Sequence, residues 1–305
     1  MGKGMDTMRY HKLVRGWLAL AAMVAAGPVL AADPPEWSTP TEPFRIADNL
    51  YYVGTKGLSA YLIVSRDGAI LLDGTLEQNA ALIERSIRRV GVPLNRVKLI
   101  VSNHAHNDHV GAIARIKRDT GARFLASAGD RWALEHGTGQ SDVTYRPTRY
   151  PAIQVDRVIG DGEVVRLGEV ALTAHLTPGH TPGCTSWSMV ARDGGKLRRV
   201  LFPCSITVAG NKLIGNRGYP GIVGDFRRTF AKLATMRADI VLPGHPEFAD
   251  VIARGARRRA GRVDAFVDPG LLPRMVAEQR AAFEAELAAA RRKVKRDAVR
   301  RNRSS

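Results

Sequence analysis

Four side chains that commonly bind metals lie within six consecutive positions of this sequence. His104, His106, Asp108 and His109 directly follow residues 97–102, whose apolar middle predicts a strand buried on both faces. Imidazole suits zinc, which needs three or four ligands that converge in a shaped pocket. A tight loop after a buried strand can aim several side chains at one point. The cluster therefore predicts a metal centre.

Two further histidines lie in turns that directly follow apolar strands. His180 lies in Thr-Pro-Gly-His-Thr-Pro-Gly at 177–183, and His245 lies in Leu-Pro-Gly-His-Pro at 242–246. Pro and Gly on both sides fix the backbone where each imidazole must point inward. One such turn is an ordinary feature, whereas three ligand-bearing turns favour a metal site. Hydrogen-bonded or solvated side chains are expected for the other histidines, His11, His136 and His175.

The first 32 residues have the pattern of a signal peptide. A basic stretch precedes an apolar run over residues 16–30, and the small residues Ala31 and Ala32 follow. The run has 15 residues, fewer than the roughly 20 that a membrane-spanning helix needs. We expect cleavage near Ala31 or Ala32 and a periplasmic or secreted protein without stable membrane insertion. A membrane anchor is the alternative.

The formal net charge of +17 raises the question of nucleic-acid binding. Residues 251–305 contain 15 Lys and Arg against 6 Asp and Glu, a net of +9, so the basicity is mainly a property of the tail. We interpret the tail as a solvated helix face with a frayed end, and we expect no nucleic-acid partner. A polyanion-binding arm is the alternative.

The sequence contains two cysteines, Cys184 and Cys204. Two are too few for a disulfide-stapled scaffold, so a large core must stabilise the fold. They could pair in an oxidising compartment, but the sequence does not give the distance between their Cα atoms that decides this.

Residues 33–43 are expected to form an extended arm with Trp37 as its anchor, and two similar series of elements follow it. The first series comprises strands at 50–53, 60–64, 69–72, 97–102 and 123–126 and helices at 77–90, 112–120 and 129–136. A polar surface loop is predicted over 141–153. The second series comprises strands at 156–159, 163–167, 170–176, 185–190, 199–202 and 240–242 and helices at 225–236 and 272–292.

These two series predict an α/β (α+β) fold with two sheets face to face and helices outside. We expect one domain over 33–305, with halves at about 45–150 and 151–295 and a basic C-terminal tail. The chain is expected to be a monomer.

The pattern His-x-His-x-Asp-His at 104–109, Gly-His-Thr-Pro-Gly at 179–183 and Gly-His-Pro at 244–246 resembles the metallo-β-lactamase superfamily. Within it, the chain is most similar to the third subclass of the class B, zinc-dependent β-lactamases. The likeness covers nearly the whole mature chain, including Asn-Leu-Tyr-Tyr-Val-Gly at 49–54. It implies a four-layer αβ/βα sandwich with the metals at one edge and β-lactam antibiotics as substrates.

The resemblance also implies a ligand set for two zinc ions per chain. One zinc would be held by His104, His106 and His180, and the second by Asp108, His109 and His245. The two ions would share a hydroxide that attacks the lactam carbonyl. Asp108 would orient this hydroxide and carry a proton to the leaving nitrogen.

Further residues take roles from the same resemblance. Asp73 would steady the metal-binding loop through hydrogen bonds, although a simple Asp-Gly turn is the alternative. Ser205 and Thr207 would bind the substrate carboxylate, and Thr207 stands where Ser is more usual. Thiolate is a good zinc ligand, but the resemblance places Ser205 rather than Cys204 at the ligand position, so Cys204 is expected to be buried and non-ligating.

Other branches of the superfamily act on lactones, thioesters or phosphodiesters, so the fold alone does not decide the substrate. Those branches typically bridge both metals with an aspartate between the positions of His180 and His245, whereas residues 200–207 here contain no acid. A nuclease has no reason to be exported. A purely structural zinc site would be a closed four-ligand cage, whereas two three-ligand sets leave positions open for catalysis.

Overall fold

Apolar and β-branched runs form two sheets in this computed structural model, which describes residues 33–145 and 147–303. The predicted leader over 1–32 and its cleavage position lie outside the described residues. In the described part of the chain, no helix is both long and apolar enough to cross a membrane.

The first sheet has seven strands in sequence order. They are β1 (Phe44–Ala47), β2 (Leu50–Tyr52), β3 (Tyr61–Ser65), β4 (Gly68–Leu72), β5 (Val97–Val101), β6 (Arg123–Ser127) and β7 (Arg157–Ile159). β1 to β4 pair antiparallel, and β4 to β7 pair parallel. Asp73 and the 104–109 loop follow β4 and β5, so the carboxyl ends of neighbouring parallel strands bring them together.

The second sheet has five strands in the order β12-β11-β10-β9-β8. They are β8 (Val164–Leu167), β9 (Val170–Leu176), β10 (Thr185–Asp193), β11 (Lys196–Phe202) and β12 (Ile240–Val241). β8 to β11 pair antiparallel, whereas β12 lies parallel to β11. His180 lies between β9 and β10, and His245 follows β12. Both histidines therefore lie in turns at the ends of strands of this sheet.

The helices lie outside the two sheets. They are α1 (Ala80–Arg89), α2 (Asn107–Val110), α3 (Ile113–Thr120), α4 (Ala128–His136), α5 (Ile222–Thr235), α6 (Val251–Arg259) and α7 (Leu271–Arg303). Leu71 and Phe124, on the outer face of the first sheet, share a buried cluster with Ile83 of α1. Leu201, on the outer face of the second sheet, shares another with Phe226 of α5.

A central core joins the inner faces of the two sheets. Ile70 and Leu72 of β4 belong to the same fully buried cluster as Trp187 of β10 and Phe202 of β11. β4 is buried throughout because its alternate residues face this core and the helices on the other side. The result is the expected four-layer αβ/βα sandwich.

Several elements differ from the sequence-based expectation. The strand at 156–159 was assigned to the second series, but β7 pairs with β6 and closes the first sheet. α6 was not predicted. α7 does not fray after residue 292 but continues to Arg303. The arm before β1 is not wholly extended, since it contains a 3-10 turn at Pro35–Trp37.

Candidate metal centre

The segment after β5 carries four of the predicted ligands. β5 ends at Val101, and the one-turn helix α2 begins after His106, whose backbone is extended (φ −108°, ψ 152°). His104 and His106 therefore precede the helix, while Asp108 and His109 lie within it. The change from extended to helical backbone lets both pairs of side chains face the same space.

Three imidazoles form the first group of potential ligands. One ring nitrogen from each of His104, His106 and His180 lies within 4.8 Å of the others. Nε2 of His180 is 3.0 Å from Nδ1 of His106. Nδ1 of His180 donates a hydrogen bond to the carbonyl oxygen of Thr207 at 2.8 Å, which leaves Nε2 as the free lone pair. Nε2 of His104 is buried and has no hydrogen-bond partner among the described residues.

Asp108 is the central member of the second group of potential ligands. Ligand atoms of His104, Asp108 and His109 lie within 4.8 Å of one another. Oδ2 of Asp108 is 3.4 Å from Nε2 of His109 and 3.1 Å from Nε2 of His245. The ring centroids of His109 and His245 are 5.2 Å apart. Nε2 of His109 is buried, and no residue within the described ranges makes a hydrogen bond to it.

Asp73 lies behind His109, at the end of β4. Its Oδ2 is 3.0 Å from Nδ1 of His109, and its Oδ1 accepts a hydrogen bond of 2.8 Å from the Asn103 backbone N–H. The side chain is fully buried, and the backbone is left-handed with φ 63°. Such a conformation is costly for a residue other than glycine and persists only where its surroundings enforce it. Asp73 thus ties His109 to the start of the histidine loop.

Gly244 allows the His245 turn to approach this region closely. A Cβ atom at residue 244 would lie only 2.4 Å from Cε1 of His109. The glycine before His245 is therefore needed for space, since its own φ is not in the positive range that favours glycine.

Burial keeps the three imidazoles of the first group neutral. It lowers the pKa of His104 and that of His180 well below the ordinary histidine value, and it lowers the pKa of His106 to about 4. Neutral imidazole is the form that binds a metal.

The second group has an excess of negative charge. Burial would raise the pKa of Asp108, but His109 and His245 outweigh it and hold that pKa well below its usual value. Burial would lower the pKa of His109, yet Asp108 and Asp73 together raise it to about 10. Without a metal, a proton on His109 thus supplies a single positive charge between the two carboxylates. A divalent cation would supply that positive charge instead.

Ser205 and Thr207 follow β11 and lie beside the second group. Their hydroxyl oxygens are 3.0 Å apart, and both side chains are half-buried. With His109 and His245 they line a cleft. The two hydroxyls are thus placed where a polar group of a bound molecule can reach them.

Cys184 and Cys204, whose pairing the sequence left open, form a disulfide with their Cα atoms 5.8 Å apart. The Sγ of Cys204 lies 3.7 Å from Nδ1 of His104. A sulfur atom in a disulfide is not a thiolate, so Cys204 does not offer a ligand while the bond is intact. Cys204 is buried, as predicted, and its non-ligating role stays a prediction.

Asp130 was not singled out from the sequence, although it joins both ligand-bearing segments. It is buried at the start of α4 and accepts hydrogen bonds from the Ala105 backbone N–H, the Thr181 hydroxyl and the Gly183 backbone N–H, at 2.8 to 2.9 Å. Burial raises its pKa to about 6 despite these donors. An acidic residue in the first turn of a helix is ordinary, so only the tertiary structure reveals this role.

The loop over 141–153 and the Trp37 arm border the site. Tyr145 and Thr148 line a cleft together with His106. The Trp37 ring lies 5.6 Å from that of His245. The loop is not wholly on the surface as predicted, because Tyr150 is buried with its hydroxyl 3.1 Å from the Ala105 carbonyl oxygen.

Two histidines with no predicted metal role make other contacts. His175 lies on β9 with Nε2 2.7 Å from the Ser188 hydroxyl, and Nδ1 of His136 lies 2.8 Å from the Trp132 carbonyl oxygen. His11 lies outside the described residues.

The donors are nitrogens and a carboxylate, and two of the nitrogens are buried without a hydrogen-bond partner among the described residues. This is the set that a zinc-type cation prefers. The family model for the metallo-beta-lactamase superfamily matches residues 53–245, which contain all of these donors. The chain belongs to the metallo-beta-lactamase superfamily, and it is a hydrolase.

Solved structures similar to this chain are subclass B3 metallo-beta-lactamases. BJP-1 of Bradyrhizobium japonicum is 42% identical, with a TM-score of 0.81, over 85% of this chain and 98% of that one. FEZ-1 from Legionella gormanii is 36% identical, with a TM-score of 0.79, over 83% of this chain and 98% of that one.

Relatives found by sequence carry other names. The bovine acyl-coenzyme A thioesterase MBLAC2 is 29% identical over 63% of this chain and 66% of that protein. The probable metallo-hydrolase YqgX of Bacillus subtilis is 26% identical over 66% of this chain and 90% of that protein. The match to an uncharacterized Aquifex aeolicus protein spans 54% of that protein, so the chain covers only part of some relatives.

Proposed function

We propose that this protein opens the ring of β-lactam antibiotics with two zinc ions. The observation that carries the proposal is the convergence of a three-imidazole group and an Asp108-centred group on one space. The likeness to BJP-1 and FEZ-1, which extends over nearly their whole length, supports this substrate class. The consequence for a bacterium that makes the protein would be antibiotic resistance.

The two groups of donors fit two separate ions. His104, His106 and His180 would hold one zinc, and Asp108, His109 and His245 would hold the other. Bound zinc supplies a Lewis acid for a carbonyl oxygen and lowers the pKa of water toward neutrality. Asp73 and the Thr207 carbonyl would orient His109 and His180 through the ring nitrogens that face away from the metals.

Asp108 is placed to handle the proton of the reaction. Hydrolysis forms a bond from the water oxygen to the carbonyl carbon, breaks the carbon–nitrogen bond and transfers a proton to the nitrogen. The pKa of Asp108 lies well below its usual range, so its carboxylate can orient the water through a hydrogen bond. In the proposed reaction it then passes the proton of that water to the leaving nitrogen.

Ser205 and Thr207 would bind the carboxylate that β-lactams carry beside the lactam nitrogen. Their hydroxyls now lie 3.0 Å apart, and both could turn to donate to a carboxylate in the cleft beside His245. Thr207 adds a methyl group where serine is more usual. That methyl narrows the positions from which its hydroxyl can donate.

A thioesterase of the same superfamily is the competing function, because MBLAC2 is a relative. Residues 200–207, between the two distal histidines, contain no acid that could bridge two metals. This feature favours β-lactam hydrolysis over a lactone, thioester or phosphodiester substrate.

The leader pattern and the substrate class together suggest where the protein acts. We infer export to the periplasm or the medium, with cleavage near Ala31 or Ala32, and a monomer of residues 33–305 arranged as two halves. The Cys184–Cys204 disulfide fits an oxidising compartment.

A substrate panel tests the proposal. The purified zinc-loaded protein should hydrolyse a penicillin and a carbapenem, should lose that activity to a chelator, and should resist serine-directed acylating inhibitors. An acyl-coenzyme A thioester and a lactone serve as matched alternatives. Turnover of either alternative without hydrolysis of any β-lactam would refute the proposed substrate class.

A further inference from the structure

Within the part of the chain that the structure describes, the buried side chains of the long terminal helix α7 all belong to residues 272–287. Phe283 packs between Phe226 and Phe230 of α5, at ring-centroid distances of 5.0 and 5.6 Å. Arg227 and Glu284 form a two-point ion pair at 3.0 Å. Leu287 is the last buried residue of α7 within the described range.

The second half of α7 extends away from this anchor. Residues 288–303 would form a segment roughly 24 Å long at the rise of an α-helix. Nearly all of its residues are exposed, including Val294 at 47% and Val299 at 46%. We call residues 288–303 the terminal arm. It contains eight Lys and Arg residues and one acid, Asp297.

The charges of the terminal arm cover one broad face. At 100° per residue, seven of the eight cations fall within an arc of about 200°. These are Arg291, Arg292, Lys293, Lys295, Arg296, Arg300 and Arg303. Ala290, Val294 and Ala298 form a narrow apolar stripe on the remaining side, where Arg301 also lies. The arm is therefore an exposed helix with one broad basic face, and Val299 also lies on that face.

We propose that the terminal arm binds the protein peripherally to an anionic lipid surface. A cluster of four to eight Lys and Arg on one exposed face is a pattern by which proteins bind acidic headgroups. A lipid surface also explains the exposed Val299, which lies among the cations, because the headgroup boundary accepts an apolar side chain whereas nucleic-acid phosphates do not. The stripe of alanine and valine is too weak for insertion, so binding depends on charge and is reversible.

Vesicle binding by the full chain tests this proposal. At moderate salt, affinity for vesicles of phosphatidylcholine with phosphatidylglycerol should exceed affinity for pure phosphatidylcholine by roughly ten-fold or more. A six-site variant should lose most of this difference. It replaces Arg291, Arg292, Lys293, Lys295, Arg296 and Arg303 by Gln, which keeps helix propensity high.

A charge-matched control separates the arm from net charge. The control replaces six exposed arginines elsewhere by Gln, namely Arg45, Arg85, Arg88, Arg123, Arg166 and Arg237. It should keep most of the binding. Equal loss in both variants, equal binding to both vesicle types, or tighter binding to a DNA duplex than to anionic vesicles at the same salt would overturn the proposal. Thermal unfolding checks that each variant is folded, and a chain ending at Ala290 replaces the six-site variant if that variant is not.

Discussion

Asp108 is the residue on which the proposed chemistry depends most. It lies within 3.4 Å of two histidines and has no substitute among the acids that the structure places nearby, since Asp73 and Asp130 face away from the shared space. Replacing Asp108 by Ala should lower kcat/KM for a penicillin by about 10²–10⁴-fold, the usual range for a lost proton-transfer group. Steady-state kinetics at saturating zinc measures this.

Cys204→Ala is the matched comparison for Asp108→Ala, because Cys204 also lies next to His104. It should cost far less rate than the Asp108 substitution. The reverse order would mean that Cys204 acts as a ligand after reduction of the disulfide.

Asp73 is expected to act through His109 rather than on the substrate. Asp73→Asn keeps the shape of the side chain but removes the charge that faces Nδ1 of His109. Zinc affinity should fall by about 10–100-fold, as for other carboxylates that orient metal-binding histidines. Competition with a chromophoric chelator measures the affinity, and exposed Asp67→Asn provides a control. Unchanged zinc affinity would mean that Asp73 only forms a turn and does not orient His109.

The residues with potential metal-binding groups could be predicted because their types are few and their turns are distinctive. His104 and His245 lie 141 positions apart, yet each lies in a turn that directly follows a short apolar strand. Asp130 could not be predicted in the same way. Its partners, Ala105, Thr181 and Gly183, offer backbone and hydroxyl groups that any sequence contains.

At the scale of elements, Asp130 holds the β5–α2 loop and the β9–β10 turn together. Asp130→Ala would leave the N–H groups of Ala105 and Gly183 buried without an acceptor, at a cost of about 1–3 kcal/mol in the free energy of unfolding. Denaturant unfolding measures this cost, with Asp67→Ala as the exposed control. Equal stability of the two variants would show that Asp130 does not join the two segments.

The elements that were not predicted correctly have only a weak pattern in their local sequence. β7 has three residues, so its sheet is decided by a distant partner, β6. In α6, Val-Ile-Ala-Arg-Gly-Ala-Arg-Arg-Arg, only Val251 and Gly255 are buried, so no clear apolar stripe appears. Gly255 packs its backbone against Phe44, where a Cβ atom would come within 2.6 Å of the ring. That close approach depends on the tertiary structure, so the local sequence does not reveal it.

For the whole molecule, the four layers could be predicted from two series of strands and helices, and the position of the site follows from them. The two sheets pack through one central core. Some of the ligand-bearing segments follow strands of the first sheet, and the others follow strands of the second. The extension of α7 to Arg303 could not be predicted, because a run of exposed basic residues is equally compatible with a frayed tail.

Removal of residues 291–305 should leave β-lactam hydrolysis within about two-fold of the full chain, since exposed residues far from a site typically contribute little to it. Initial rates of the truncated and full-length proteins on one penicillin check this expectation. A large loss in kcat at an unchanged zinc content would mean that the terminal arm contributes to the site.

The most direct test follows hydrolysis of a chromogenic β-lactam as zinc is added back to metal-free protein, with bound zinc measured by mass spectrometry under native conditions. The proposed two-metal site predicts that activity rises with bound zinc and that binding levels off at about two ions per chain. A protein that binds zinc to saturation and remains inactive on β-lactams, or that is fully active with no bound zinc, would contradict it.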